Sequence, residues 1–354
     1  MSDNVIVGFG NNGNSSHYVV DNNSLAAQLG LMIGSVLGSS FITDDVTGGS
    51  LADPYLVPAT SSAIGGSVTA DYTTISTYDE AYRFVSSGWN HVKNIAAKVT
   101  GNDSILFISD LFVQNDLDFS GVNNDVELNV FNTKRSNILT GNGDDFVRVT
   151  SATNNPGWSN LHLISTGDGN DYVVVNKGDA SLIPTTLVNF VDGRYTTVEA
   201  NLGRGNDTYA ANNDHIKTAD HVHGGTGSDK IFTGDGNDIL YGDYDFGVIS
   251  KNAPGDYDLV SKGDTLKGGA GHDEFHYSNG DGFGIVGDGF DHILDFATND
   301  VLVMTTHSPG DVVTTENAVV HFDSINLSGV MVLVNDVASV FLENYSGSTA
   351  DIFV

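Results

Sequence analysis

Cysteine is absent from the 354 residues, which removes both a disulfide framework and a thiol nucleophile. Proline is scarce at 6, and Lys and Arg together number 14 against 45 acidic residues, a formal charge of −31 that argues against nucleic acid as a partner. Glutamate accounts for only 6 of those acids, leaving 39 aspartates. General solubility would be served equally by either carboxylate, so the skew asks for short carboxylates in turns. No stretch approaches the roughly 18 apolar residues that span a bilayer; the most apolar run, Leu25 to Leu37, is broken by Gly30 and Gly34, and no transmembrane segment is expected. Met1 is followed by Ser2, Asp3 and Asn4 rather than by a basic region and an apolar core, so no N-terminal signal peptide is expected. Enzyme signatures are missing too: neither H-E-x-x-H nor G-x-S-x-G occurs, and His272 to His276 imitates the first only loosely, on a glycine turn.

What is abundant is glycine, 42 residues of it, within a chain whose 40% hydrophobic content supports a packed core. Much of it lies in one recurring pattern, G-x-G-x-D, found in the seven segments Thr140 to Arg148, Thr166 to Val174, Leu202 to Ala210, Gly224 to Phe232, Thr233 to Tyr241, Gly268 to His276 and Val286 to Leu294. Composition alone would produce about 0.5 copies, so the signal stands well above a lone glycine motif. An apolar or aromatic residue follows each Asp by two places (Val147, Val173, Tyr209, Ile231, Leu240, Phe275, Ile293), completing a nine-residue turn and strand.

Glycines at alternate positions allow left-handed backbone that closes a tight turn and aims carbonyls at a common point. A hard cation suits such a turn. Calcium takes 6–8 oxygens, and one turn with one carboxylate supplies about half a shell, so a second turn stacked on the first must supply the rest. The expected carboxylate ligands are Asp145, Asp171, Asp207, Asp229, Asp238, Asp273 and Asp291, with Asp168, Asp235 and Asp288 either supplementary or merely solvated. The turn backbone comes from Gly141, Gly143, Gly167, Gly169, Gly203, Gly205, Gly225, Gly227, Gly234, Gly236, Gly269, Gly271, Gly287 and Gly289. Successive ligand aspartates lie 26, 36, 22, 9, 35 and 18 residues apart, which excludes a perfect roll and implies insertions, read as loops, at Ser151 to Asn160 and Gly242 to Ser261. Asp273 and Asp291 have the best one-coil spacing. His215, His221 and His223 are a weaker candidate for a second metal site; His221 and His223 would share a strand face.

These residues resemble the RTX (repeats-in-toxin) family, whose G-G-x-G-x-D nonapeptides wind into a calcium-bound parallel β-roll. Gly224 to Phe232 and Gly268 to His276 carry both leading glycines; the other copies begin with Thr140, Thr166, Leu202, Thr233 or Val286. The resemblance implies several bound calcium ions and export by type I secretion machinery. The closing residues Asp351, Ile352, Phe353 and Val354 and the FDHILDF segment are similar to that family's C-terminal secretion region.

The expected fold is therefore mainly β: a parallel β-roll or β-solenoid with calcium-binding Gly/Asp turns over residues 101–305, an N-terminal α+β cap over 1–100 with two helices, and a C-terminal β cap with the secretion signal over 306–354. One helix is predicted from Asn23 or Ser24 through Leu37. The other follows the capping box Thr77 to Glu80, with Tyr82, Val85, Trp89, Val92, Ala96 and Val99 at helical spacing. Strand-length apolar runs are read at Ser104 to Val113, Val126 to Phe131, Phe290 to Val303 and Val330 to Leu342. Two functions fit. One is a secreted, calcium-folded structural protein that self-assembles into a surface layer, filament or matrix as a homo-oligomer or polymer. The other is a secreted enzyme or ligand-binding effector with its site in residues 1–139.

Overall fold

A computed structural model describes residues 114–151, 160–175, 196–211, 218–245, 247–278, 288–305, 310–322, 324–348 and 351–353. Before them it describes the backbone of the strands Asp3–Phe9, Ser15–Val20, Ser67–Tyr72, Glu80–Val85, Asn94–Gly101 and Ile105–Asp110. The chain divides into two compact units, Met1–Thr197 and Val198–Val354.

In the first unit, successive strands alternate between two parallel sheets. Glu80–Val85, Ile105–Asp110, Val126–Thr133, Phe146–Ser151 and Tyr172–Val175 follow one another in one sheet. Ser67–Tyr72, Asn94–Gly101, Gln114–Val122, Arg135–Leu139 and Asn160–Ser165 do so in the other. This alternation defines a roll in which each coil adds one strand to each sheet. Side chains alternate accordingly: along Arg135–Leu139 exposed and buried residues take turns. The inward positions are aliphatic or aromatic, among them Phe119, Leu128, Ile138 and Val147. Polar groups are enclosed as well, among them Asn115, Thr133 and His162. His162 is fully buried between the hydroxyls of Ser136, 2.7 Å from Nδ1, and Ser151, 2.9 Å from Nε2, and burial pushes its pKa down to about 3.

The second unit repeats the scheme with Thr208–Ala211, Lys230–Phe232, Thr265–Lys267 and Asp291–Ile293 in one sheet and Thr218–Thr226, Ile239–Tyr244, Glu274–Ser278 and Val301–Thr305 in the other. An antiparallel meander, Val313–Phe322, Ile325–Val334 and Val337–Glu343, continues the first of these sheets, because Val337–Glu343 pairs with Asp291–Ile293. It packs Val320, Met331, Leu333 and Phe341 against Tyr257 and Phe290. The apolar residue two places after each motif Asp is fully buried or nearly so in all seven copies, from Val147 at 0% to Ile293 at 1% exposure. That position anchors each turn to the core.

Two expectations need correction. The helix anticipated after Thr77 is replaced by the strands Glu80–Val85 and Asn94–Gly101, paired in parallel with Ile105–Asp110 and Gln114–Val122. Its apolar spacing fitted a helix, but Tyr82, Phe84, Val85, Val99 and Thr100 also suit a strand, and neighbouring coils offer a ladder that outweighs weak local preference. The helix expected at residues 23–37 lies outside the described residues. The insertion Gly242 to Ser261 is no loop: Val248–Ala253 and Asp256–Ser261 form an antiparallel hairpin across Pro254-Gly255, with Gly255 at φ 74°. A Pro-Gly pair between alternating segments is a turn signal in its own right. The insertion Ser151 to Asn160 lies mostly outside the described residues.

Close coil stacking makes glycine obligatory at some turns. Gly227 has φ +144°, and a Cβ there would lie 1.5 Å from the carbonyl oxygen of Gly205 in the adjacent coil. Gly310 also has positive φ, yet nothing lies within 4 Å of a Cβ built on it. Gly227→Ala should therefore cost more than about 3 kcal/mol in calcium, and Gly310→Ala about 1 kcal/mol. Thermal melts of the two variants check this, and equal losses would refute the stacking argument.

Candidate metal centre

The turns are joined by a hydrogen-bonding ladder of aspartates. In the first unit the backbone N–H of Val126 donates to Asp145 Oδ1 at 2.8 Å, and the N–H of Asp145 donates to Asp171 Oδ1 at 2.8 Å. The second unit has two such ladders. In one, Asp207 donates to Asp229 Oδ1 at 2.8 Å and Asp229 to Asp264 Oδ1 at 2.7 Å. In the other, Asp220 donates to Asp238 Oδ1 at 2.8 Å, Asp238 to Asp273 Oδ1 at 3.0 Å and Asp273 to Asp300 Oδ1 at 3.2 Å. Asp145, Asp171, Asp229, Asp238 and Asp273 thus each spend one oxygen on an amide of the preceding coil.

In three copies the residue before the motif Asp answers in the opposite direction. Asp144 Oδ1 accepts from the N–H of Asn170, Asn206 Oδ1 from Ser228 and Asn237 Oδ1 from His272, at 2.8, 2.8 and 3.1 Å. Paired turns are thereby clamped from both sides.

The second oxygen is the informative one. Oδ2 of Asp229, Asp264 and Asp273 and Oδ1 of Asp291 are buried with no hydrogen-bond partner. A buried carboxylate oxygen left unpaired costs free energy unless a proton or a cation meets it. Burial is the main reason these acids resist ionisation: pKa values are pushed up to about 8 at Asp145, about 7 at Asp229 and Asp238, about 6 at Asp171 and Asp273, and about 10 at Asp264. Neighbouring aspartates add to the shift at each of these positions.

Where the repeat begins with glycine, the absent side chain makes room for the aspartate carboxylate itself. A Cβ on Gly224 would lie 2.5 Å from Asp229 Oδ2, and one on Gly268 2.3 Å from Asp273 Oδ2. In copies starting with threonine the hydroxyl reaches the next coil, Thr140 Oγ1 donating to the Thr166 carbonyl at 2.6 Å and Thr233 Oγ1 to the Gly268 carbonyl at 3.0 Å, while also lying against the aspartate of its own repeat, Asp145 or Asp238. The threonine start therefore supports stacking in its own way. Of the turn glycines, Gly143, Gly167, Gly169, Gly203, Gly205, Gly225, Gly227, Gly234, Gly269, Gly271 and Gly289 have positive φ. The carbonyls of Gly141, Gly203 and Gly234 accept amides of adjacent coils at 3.0, 2.8 and 3.0 Å, each keeping a second lone pair. Gly287 lies outside the described residues. The all-oxygen donor set fits a hard cation.

The structure separates some expected neighbours. Asp229 and Asp238, nine residues apart, belong to different ladders, because each nonapeptide makes half a coil; the one-coil spacing of 18 residues instead joins Asp220 to Asp238. Asp273 and Asp291 are likewise not successive rungs: Asp273 reaches Asp300, while the strand after Asp291 pairs with that after Asp264. Asp168 is exposed, Asp235 half-buried and Asp288 buried. Asp220, Asp264 and Asp300 were missed for want of the two glycines. Their signal was the other half of the motif, an aspartate followed two places later by a buried aliphatic residue, Val222, Leu266 or Leu302. His221 and His223 do share a strand face, where both pack against Tyr241 with ring centroids 5.4 and 4.1 Å away, but His223 Nδ1 is engaged with Asp243 at 3.0 Å. Among the described residues they form no metal-ligand group with a third side chain.

A two-sheet parallel roll with aspartate-lined glycine turns defines a calcium-binding repeat protein. Residues 218–243 and 262–284 match the family model of the RTX calcium-binding nonapeptide repeat, in 4 copies. The chain carries RTX repeats, and these bind several calcium ions. No curated protein and no solved structure matches the chain significantly.

Proposed function

We propose that this chain is a secreted protein that folds on calcium outside the cell and then acts as a self-assembling component of a surface layer, filament or matrix. The carrying observation is the ladder of buried carboxylates with unpaired oxygens, which leaves the ion-free roll strained by its own charge and the calcium-loaded roll neutralised. The ligands in this reading are Asp145, Asp171, Asp207, Asp229, Asp238, Asp273 and Asp291 with the turn carbonyls. In a cell where free calcium is low, −31 of charge opposes compaction and favours a threadable chain. The division into an N-terminal cap, the roll and a C-terminal cap is part of the same proposal. Assembly is supported by the strand Val248–Ala253, which ends its sheet and is largely exposed, with Val248 half-exposed at 50%. An open edge of that kind pairs with other chains.

Light scattering and negative-stain microscopy with and without calcium test the assembly. Lattices or fibres are expected only with calcium; a lasting calcium-bound monomer that turns over a peptide, ester or glycan library would replace this reading with an enzymatic one. The ligand assignment has its own test. Asp229→Asn keeps an acceptor for the Asp207 amide but loses the charge, so calorimetric titration should show fewer calcium equivalents. Asp229→Ala should lose the same equivalents and a further 1–3 kcal/mol or so of stability, because the buried Asp207 N–H is left unpaired. Unaltered stoichiometry in both variants would remove Asp229 from the ligand set.

A further inference from the structure

One place in the second unit breaks the ladder rule. Asp264 and Asp291 precede paired strands, Thr265 against His292, so the Asp264 amide should donate to Asp291. It donates instead to Asp245 Oδ2, at 2.8 Å. Asp245 belongs to no G-x-G-x-D copy; it stands at the start of the Gly242 to Ser261 insertion. Its other oxygen accepts from the amides of Gly247 at 2.5 Å and Phe290 at 3.3 Å. Glycines make room for the intrusion: a Cβ on Gly263 would lie 2.0 Å from Asp245 Oδ2, and one on Gly289 1.7 Å from Asp245 Oδ1.

Three carboxylates are gathered as a result. One oxygen each from Asp245, Asp264 and Asp291 lies within 4.8 Å of the others, and the three residues are 3%, 1% and 1% exposed. Asp264 Oδ2 and Asp291 Oδ1 are buried without a hydrogen-bond partner. The leading charges acting on Asp291 are all aspartates: Asp264, Asp245, Asp288 and Asp243. A Cβ on Gly242 would sit 2.3 Å from Asp264 Oδ2, so only a glycine there leaves room for that carboxylate. Oxygens sharing one calcium at about 2.3–2.6 Å stand at most about 5 Å apart, which the observed spread satisfies.

From this convergence we infer a cation site built differently from the other repeat turns, in which the repeat aspartate Asp291, Asp264 and the insertion's Asp245 together bind one hard divalent ion of the calcium class. A repeat turn contributes one carboxylate; this site contributes three, and takes one of them from the insertion. Filling it ties the insertion to the strands Thr265–Lys267 and Asp291–Ile293, and through the latter to Val337–Glu343 of the meander. The site rests on the calcium-loaded reading of the fold, and its consequence is local: it fastens the last coil to the meander.

Crystals of the full chain grown with terbium chloride, measured at the lanthanide edge, test it directly. An anomalous peak within bonding distance of all three carboxylates is expected. Peaks between repeat turns with none at these three residues would overturn this site alone; no peaks anywhere would overturn calcium loading as a whole. In solution, Asp245→Asn leaves every repeat aspartate in place and should remove one equivalent of calcium from the titration, with the remaining equivalents kept. Wild-type stoichiometry and affinities in that variant would refute the site.

Discussion

Calcium removal by a chelator near neutral pH is expected to abolish the cooperative melt of this protein and most of its β-type circular dichroism, and millimolar calcium to restore both. Two observations carry this. Carboxylate oxygens at Asp229, Asp264, Asp273 and Asp291 are buried unpaired, and the chain as a whole holds −31 of charge. Calcium sites of extracellular modules have dissociation constants of about 10⁻⁴ to 10⁻³ M, so several millimolar calcium adds roughly 1–2 kcal/mol per site by mass action. With several sites the sum is comparable to the whole stability of a small domain. A chelated sample that keeps its spectrum and melting temperature would refute calcium as an integral part of the interior.

The ion-free protein should show an inverted pH response, more stable near pH 4 to 5 than near pH 8. The carboxyls of Asp145, Asp229, Asp238 and Asp264 titrate at about 8, 7, 7 and 10 in the fold, against 3.8 in an ordinary environment, chiefly through burial. Below 3.8 both states are protonated and burial of these acids carries no penalty. As pH rises the unfolded chain ionises first, so folded stability is lost progressively until the folded groups ionise as well. His162 acts with the opposite sign: its folded pKa of about 3 lies below the ordinary 6.5, so acidification from 6.5 towards 3 favours the unfolded chain. One histidine opposes many carboxyls, which places the ion-free optimum between those limits. With calcium bound the order reverses, since protons then compete with the ion. The folded fraction followed by circular dichroism from pH 4 to 8, ion-free and in calcium, should cross; an ion-free folded fraction that climbs steadily over that range would contradict the burial argument.

Repetition made much of this legible without coordinates. A turn of alternate glycines ending in aspartate and followed by a buried apolar residue encodes a local conformation, and the seven copies share it because backbone freedom and side-chain reach act within nine residues. Helical spacing after Thr77 misled for a related reason: local periodicity is a weak preference, and parallel partners at Ile105–Asp110 and Gln114–Val122 overrode it. The Pro254-Gly255 hairpin was visible in principle but was masked by its loop-like composition.

Sequence alone thus determined the metal class, the turn chemistry and the inward position two residues after each aspartate, all consequences of short-range stereochemistry. Tertiary structure alone decided which carboxylates meet. Asp229 joins Asp207 and Asp264 rather than Asp238, and Asp245 enters beside Asp264 and Asp291, because coil length and the inserted hairpin set which turns come into register. Pairing between strands tens of residues apart is a property of the closed ladder, and no nine-residue window contains it.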